Sequence, residues 1–180
     1  MKPRTRALLI PAAAVIVGAL IGYEYLVTHT FSARAKPSAL EAFLAKRVRD
    51  LATSPAVKRL KNPLESTPLT IAQGRDHFAD HCAFCHGNNG DGKTLVNEGL
   101  YPPAPDLRET TTQDLSDGEI FSIIRNGIRF TGMPGWDGED DENWKLVLFI
   151  RHLLELSPEE LTLMREVNGG REEGIHNEHH

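Results

Sequence analysis

Apolar residues run almost unbroken from Ala7 to Tyr23, and no other block of that length occurs in the chain. The run is at the short end for a membrane-crossing helix. Leu26 and Val27 extend it past Glu24, whose carboxylate can reach the interface. From Ser38 to about Ala52 the pattern changes. Leu40, Phe43, Leu44, Val48 and Leu51 recur mostly at three- and four-residue steps, which predicts a two-faced helix with Lys46, Arg47, Arg49 and Asp50 on the other side. The segment Asn62-Pro63-Leu64-Glu65-Ser66-Thr67-Pro68 breaks this pattern. A helix is expected from Leu69 into Cys82, with Gly74, Phe78 and Cys82 four apart on one face. Gly87 to Thr94 is turn-rich. Ser116-Asp117-Gly118-Glu119 is a capping box that opens a short helix through Ile120, Phe121, Ile123 and Ile124, ended by Gly127. Gly138 to Glu142 reads as a solvated acidic loop and Trp144 to Leu156 as an apolar helix. Ser157-Pro158-Glu159-Glu160 starts a last helix that ends near Asn168-Gly169-Gly170. Every element is a helix or a loop, so the fold class is all-α.

Charge divides the chain further. Residues 1–61 hold 11 Lys+Arg and 3 Asp+Glu, net +8, and residues 62–180 hold 9 and 22, net −13. A basic leader and stalk carry a strongly acidic domain, a balance that argues against nucleic acid as a partner. Four parts are expected: an N-terminal anchor or signal (1–28), a basic helical stalk (29–68), a folded domain (69–156) and an extra helix with a polar tail (157–180). Ala33-Arg34-Ala35 resembles a cleavage site but lies far from the apolar run, which favours an uncleaved anchor over a removed signal. The stalk helix fits either an anionic lipid surface or packing on its own domain, the second being preferred. His176, His179 and His180 fall in what reads as a disordered polar tail.

The chemistry concentrates in Cys82-Ala83-Phe84-Cys85-His86. C-x-x-C-H is the attachment spacing of a c-type haem: each thiol adds across one vinyl group, and the adjacent histidine offers an imidazole to the iron. These are the only two cysteines in the chain. A zinc site built on three or four cysteines therefore lacks ligands, and a thioredoxin-like C-x-x-C lacks its βαβ context. A plain disulfide is the remaining alternative. Gly87 to Thr94 also satisfies G-x-x-x-x-G-K-[ST], but no strand precedes it, so no nucleotide is expected. Downstream, Thr131-Gly132-Met133-Pro134-Gly135-Trp136 puts a methionine on a loop between glycine and proline. The proline restricts Met133 to extended geometry, which suits a thioether aimed at iron. Met164, on the last helix, is the reserve.

With C-x-x-C-H upstream and G-M-P-G-W downstream, the chain resembles class I cytochromes c over roughly Leu69 to Leu156, in a layout similar to membrane-bound bacterial monohaem types. Gly74 and Phe78 match the family's first helix and Phe149 its last, which the first crosses closely. Pro105-x-Leu107 matches the family's P-x-L. The resemblance implies one covalent haem c on Cys82 and Cys85, His86 and Met133 as axial ligands, the Pro105 carbonyl orienting His86, and Leu107 packing on the haem. It places the domain on the periplasmic side.

The expected function is a membrane-tethered one-electron carrier, not an enzyme, with redox proteins bearing a basic docking face as partners. A haem subunit of a larger dehydrogenase or respiratory complex is the alternative. A haem enzyme or gas sensor is a third class, marked by an easily displaced sixth ligand. Arg125 or Arg129 is the candidate partner for a haem carboxylate.

Overall fold

A computed structural model describes residues 3–28 and 32–168. The His-rich tail lies outside the described residues. Among those described there are nine α-helices and no strand. The chain divides into two units between Ala35 and Lys36.

The first unit is one helix, α1 (Pro3–Thr28), continuous through Pro11. Its stretch Ile10–Thr28 is long and apolar enough to cross a membrane, by length and composition alone, and is exposed throughout.

The second unit begins with α2 (Ala39–Ala52), capped by Ser38, whose side chain accepts from Glu41 N. None of its residues is buried. A short turn, α3 (Pro55–Lys58), follows. Next come α4 (Pro68–His81), α5 (Ala83–His86), α6 (Thr110–Gln113), α7 (Asp117–Asn126), α8 (Asp140–His152) and α9 (Pro158–Val167).

The core is the crossing of α4 on α8. It depends on Gly74: a Cβ there would lie 2.2 Å from the Lys145 carbonyl oxygen, so any side chain would push the helices apart. Phe78 and Phe149 meet just beside it, ring centroids 5.2 Å apart, both buried. Trp144 stacks on Phe121 of α7 at 4.1 Å and 12°. The core also includes Ile120, Ile124, Leu146, Val147, Ile150 and Leu153. Full burial of each such side chain contributes about 1.5–3 kcal/mol.

Both capping boxes form. Ser116 Oγ accepts from Glu119 N and the Glu119 carboxylate accepts from Ser116 N; Ser157 and Glu160 do the same at α9. Gly127 ends α7 at φ 66°.

One expectation needs correction, and two segments are held more closely than their sequence suggests. The acidic segment is not a loop: Asp140, Asp141 and Glu142 form the first turn of α8. Three carboxylates there face the positive end of the helix dipole, which stabilises an early start. The segment that breaks the helical pattern is held to the domain, where Asn62 Nδ2 donates to the Trp144 carbonyl at 2.9 Å. The upstream turn is also tied down. A Cβ on Gly118 would meet the Val57 carbonyl oxygen at 2.0 Å, and Lys58 lies 3.6 Å from Glu119. The extra helix α9 packs into the core. Met164 is fully buried, packed in the same core as α4 and α8.

Candidate functional site

The turn Cys82–His86 is the hinge between α4 and its short continuation α5. Cys85 N and His86 N both donate to the Cys82 carbonyl, at 3.1 and 2.9 Å. One tight turn therefore presents two thiols and an imidazole together. Both cysteines are free. Burial, with Cys85 adding to it, pushes the Cys82 thiol up to about 12, and burial raises Cys85 as well. Both thiols are thus held neutral.

These residues line a cavity of about 380 Å³. Its walls are predominantly apolar: Phe78, Leu146 and Ile150 from the core crossing, Ile120 and Ile124 from α7, and Leu100 and Leu107 from the loop after the motif. Met133 lines the same cavity, brought there by the separate loop after α7. Pro105, Pro134 and Trp136 line it too, and Met164 does not. All six residues expected from the sequence, Cys82, Cys85, His86, Pro105, Leu107 and Met133, therefore reach one space.

The loop from Gly87 to Leu107 holds His86 in place by main-chain bonds. Gly92 N donates to the His86 carbonyl at 2.8 Å, and Leu107 N donates to the Gly90 carbonyl at 2.8 Å. Gly92 has φ 68°, and a Cβ there would meet the Ala104 carbonyl oxygen at 2.8 Å. The absence of a side chain lets the Pro105 segment close over the motif. Asn97, 6% exposed, ties the two strands of the loop. Its side-chain amide donates to the Gly92 carbonyl, and to that of Ala104 at 3.0 Å, and its oxygen accepts from Ala104 N. Gln113 Nε2 fastens the Leu107 carbonyl (2.8 Å) to that of Ile150 (3.0 Å). Burial pushes the His86 pKa down, and the Pro105 backbone offsets this in part. That contact falls short of hydrogen-bond geometry, since the buried Nδ1 has no hydrogen-bond partner.

The methionine loop is held differently. Trp136 N donates to the Ile124 carbonyl at 3.0 Å, and the Trp136 carbonyl accepts from Asn143 Nδ2 at 3.0 Å. Met133 N donates to Thr131 Oγ1 at 3.1 Å, and Ile128 N donates to the Met133 carbonyl at 3.2 Å. Gly127 has no room for a Cβ, which would lie 2.6 Å from the Met133 carbonyl oxygen.

Asn97 and Asn143 were not singled out in the sequence. A lone asparagine in a Gly/Pro-rich loop, or at the head of a helix, reads as turn chemistry until its long-range acceptor is known. Arg125 does not turn to the cavity; it ion-pairs with Asp140 at the start of α8. The turn-rich octet Gly87 to Thr94 follows a helix rather than a strand. Among the described residues, no group of three or more His, Cys, Asp and Glu side chains is placed to hold a metal ion.

The donor set fits a covalently held haem. It comprises two free thiols on one turn, a buried imidazole with an unpartnered nitrogen, a thioether from a second loop and an apolar chamber. A helical fold built on such a turn defines the class of c-type cytochromes. Residues 69–150 match the family model described as "Cytochrome C oxidase, cbb3-type, subunit III", which supports a c-type cytochrome domain in that part of the chain. Cytochromes of this class carry haem c. Among solved structures, the chain is similar to a chain of the Kuenenia stuttgartiensis reducing HAO-like protein complex Kustc0457/Kustc0458, with 24% identity and a TM-score of 0.45. That match covers 52% of this chain and 49% of the other, so the chain spans about half the length of its solved neighbour. No curated protein matches the sequence.

Proposed function

We propose that the protein is a membrane-tethered periplasmic electron carrier. It would hold one haem c through thioethers to Cys82 and Cys85, with His86 and Met133 as axial ligands. The observation that carries this reading is the arrival of Met133 in the cavity of the C-x-x-C-H turn, from a loop 47 positions downstream of His86. When bound, the haem supplies a single electron exchanged between Fe(III) and Fe(II). The chain's residues set the conditions. Cys82 and Cys85 fix the group to a short turn. Once drawn into hydrogen-bond geometry, the Pro105 carbonyl would orient the His86 ring and make it a better donor. The thioether of Met133 favours the reduced state relative to a second imidazole. Leu107, Leu146 and Ile150 exclude water from the chamber, which disfavours added charge at the iron. With His86 and Met133 both holding the iron, a substrate would reach it only by displacing Met133. The helix α1 would keep the domain at the membrane surface, raising its concentration near membrane partners.

The test is a denaturing gel stained for haem, with spectra of the native protein. The expected result is one haem that stays with the polypeptide after denaturation and is lost in the double variant Cys82→Ala/Cys85→Ala. A colourless exported protein with two titratable thiols contradicts the reading. A second reading, a haem subunit of a larger respiratory complex, is favoured by the family match to a model described as an oxidase subunit. Purification from native membranes decides between them: a carrier elutes alone, and a subunit brings stoichiometric partner chains.

A further inference from the structure

The matched cytochrome segment contributes no lysine or arginine to the cavity. Among the described residues, the Lys and Arg side chains lining it are Lys46 and Arg49, and both belong to α2, upstream of that segment. Arg125, the expected cation, is engaged by Asp140 and stacks 6.0 Å from the Phe121 ring. Arg129 is exposed and does not line the cavity.

The orientation of α2 is the second observation. Ala42, Lys46 and Arg49 stand at steps of four and three, on one edge of the helix. Ala42 and Arg49 are half-buried and Lys46 is exposed, lining the cavity with Arg49, while Leu40, Phe43, Leu44, Val48 and Leu51 are exposed and do not line it. An ordinary amphipathic helix turns its apolar stripe inward. This one turns its basic edge toward an apolar chamber. Among the described residues, the ion-pair partner of Arg49 is a loose local one, Asp50 at 3.8 Å, both side chains partly exposed. Such an exposed, long pair contributes little and does not account for the orientation.

A chamber with apolar walls and two cations at its lining suits a flat apolar ligand that carries anionic groups. Haem has this form, with two carboxylates on one edge. We propose that Lys46 and Arg49 bind the haem carboxylates, so that the helix preceding the cytochrome domain completes its cofactor site. This rests on the haem reading above. The two positive charges offset carboxylate charge beside the iron, in a domain that is otherwise strongly acidic. They disfavour the extra positive charge of Fe(III) and so raise the potential. Two charges roughly 10 Å from the iron, at an effective dielectric constant between those of protein and water, are together worth on the order of a tenfold change in the one-electron equilibrium.

The experiment uses the full-length, haem-loaded protein. Midpoint potentials are measured by optical redox titration at low and high salt for the wild type, Lys46→Gln/Arg49→Gln and the charge-keeping Lys46→Arg/Arg49→Lys. Arg47→Gln serves as a control, because Arg47 lies over the Phe43 ring, 5.3 Å from its centroid, and does not line the cavity. The neutral double variant should favour Fe(III) by about tenfold at low salt, equivalent to ~59 mV for one electron. The shift should shrink at high salt. The charge-keeping variant and Arg47→Gln should stay within twofold of wild type. A neutral double variant within twofold of wild type, or one shifted toward Fe(II), overturns the assignment. If the double variant loads no haem, Lys46→Gln and Arg49→Gln are read singly by the same criterion, each at about threefold. A wild type with no covalent haem refutes the cytochrome reading itself, a result distinct from an unshifted potential.

Discussion

The two loops that close on the cavity are built to different standards. The loop from Gly87 to Leu107 is buried at Gly87, Asn88, Gly90, Gly92, Asn97 and Leu107 and is laced by short main-chain and amide bonds. Asn88 is held further by a buried bond from Asn168 Nδ2 at 2.8 Å, where the chain leaves α9. The loop from Ile128 to Trp136 has no buried residue, and its Phe130 is 92% exposed with φ 63°. It is fastened by Ile128 N on the Met133 carbonyl and by Trp136 on Ile124 and Asn143. The histidine side is thus a fixed wall, and the methionine side is a flap pinned at two points. In a carrier with His/Met ligation, this asymmetry makes the thioether the ligand that yields first.

The comparison can be broken most severely at Gly92. Gly92→Val adds a Cβ 2.8 Å from a carbonyl oxygen at a backbone φ of 68°. A loss of roughly 3 kcal/mol or more is expected from the combined clash and strain, measured by denaturant unfolding of the haem-loaded protein. Asn97→Ala comes next. It strands the buried groups that its amide satisfies and should cost about 2–3 kcal/mol. Carbon monoxide binding to the reduced protein should stay slow in that variant, because the damage falls on the histidine side. Asn143→Ala should cost less, about 1–2 kcal/mol, yet speed carbon monoxide binding by loosening the Trp136 end of the flap. If Asn97→Ala opened the iron to carbon monoxide more than Asn143→Ala did, the fixed wall and the flap would have to be exchanged. The smallest effect is at the caps. Burial works to raise the Glu160 pKa, but the bonds from Ser157 and His152 outweigh it and the pKa lies below its usual value. The cap therefore adds stability above the unfolded carboxylate pKa and loses it as pH falls through the lower folded value. Glu160→Gln should reduce stability by up to ~1 kcal/mol near neutral pH, and the difference from wild type should close in acid. A difference that widened in acid would contradict the sign.

Much of the site was legible because its parts are local. The C-x-x-C-H turn, the Gly-Met-Pro loop and the two capping boxes each declare themselves within six residues. Gly74 and Phe78 were legible through resemblance, and the 2.2 Å clearance at Lys145 gives the physical reason for that glycine. What escaped was set by partners distant in sequence. Asn143 differs from an ordinary helix-head asparagine only in reaching Trp136. Asp140 and Asp141 are solvated as expected, but Asp140 to Glu142 read as a loop because carboxylates carry no hydrophobic period, although they are favourable at a helix start. The periodicity of α2 located its apolar stripe correctly but gave no reason to expect the basic edge to face the cavity.

The central claim is that Met133, and not Met164, faces the haem iron. Proton NMR of the reduced, haem-loaded protein tests it directly, since a methyl group held over the ring is shifted far upfield by the ring current. One such three-proton signal is predicted in the wild type, retained in Met164→Ala and absent from Met133→Ala. Its survival in Met133→Ala, or its absence from the wild type, would contradict the account.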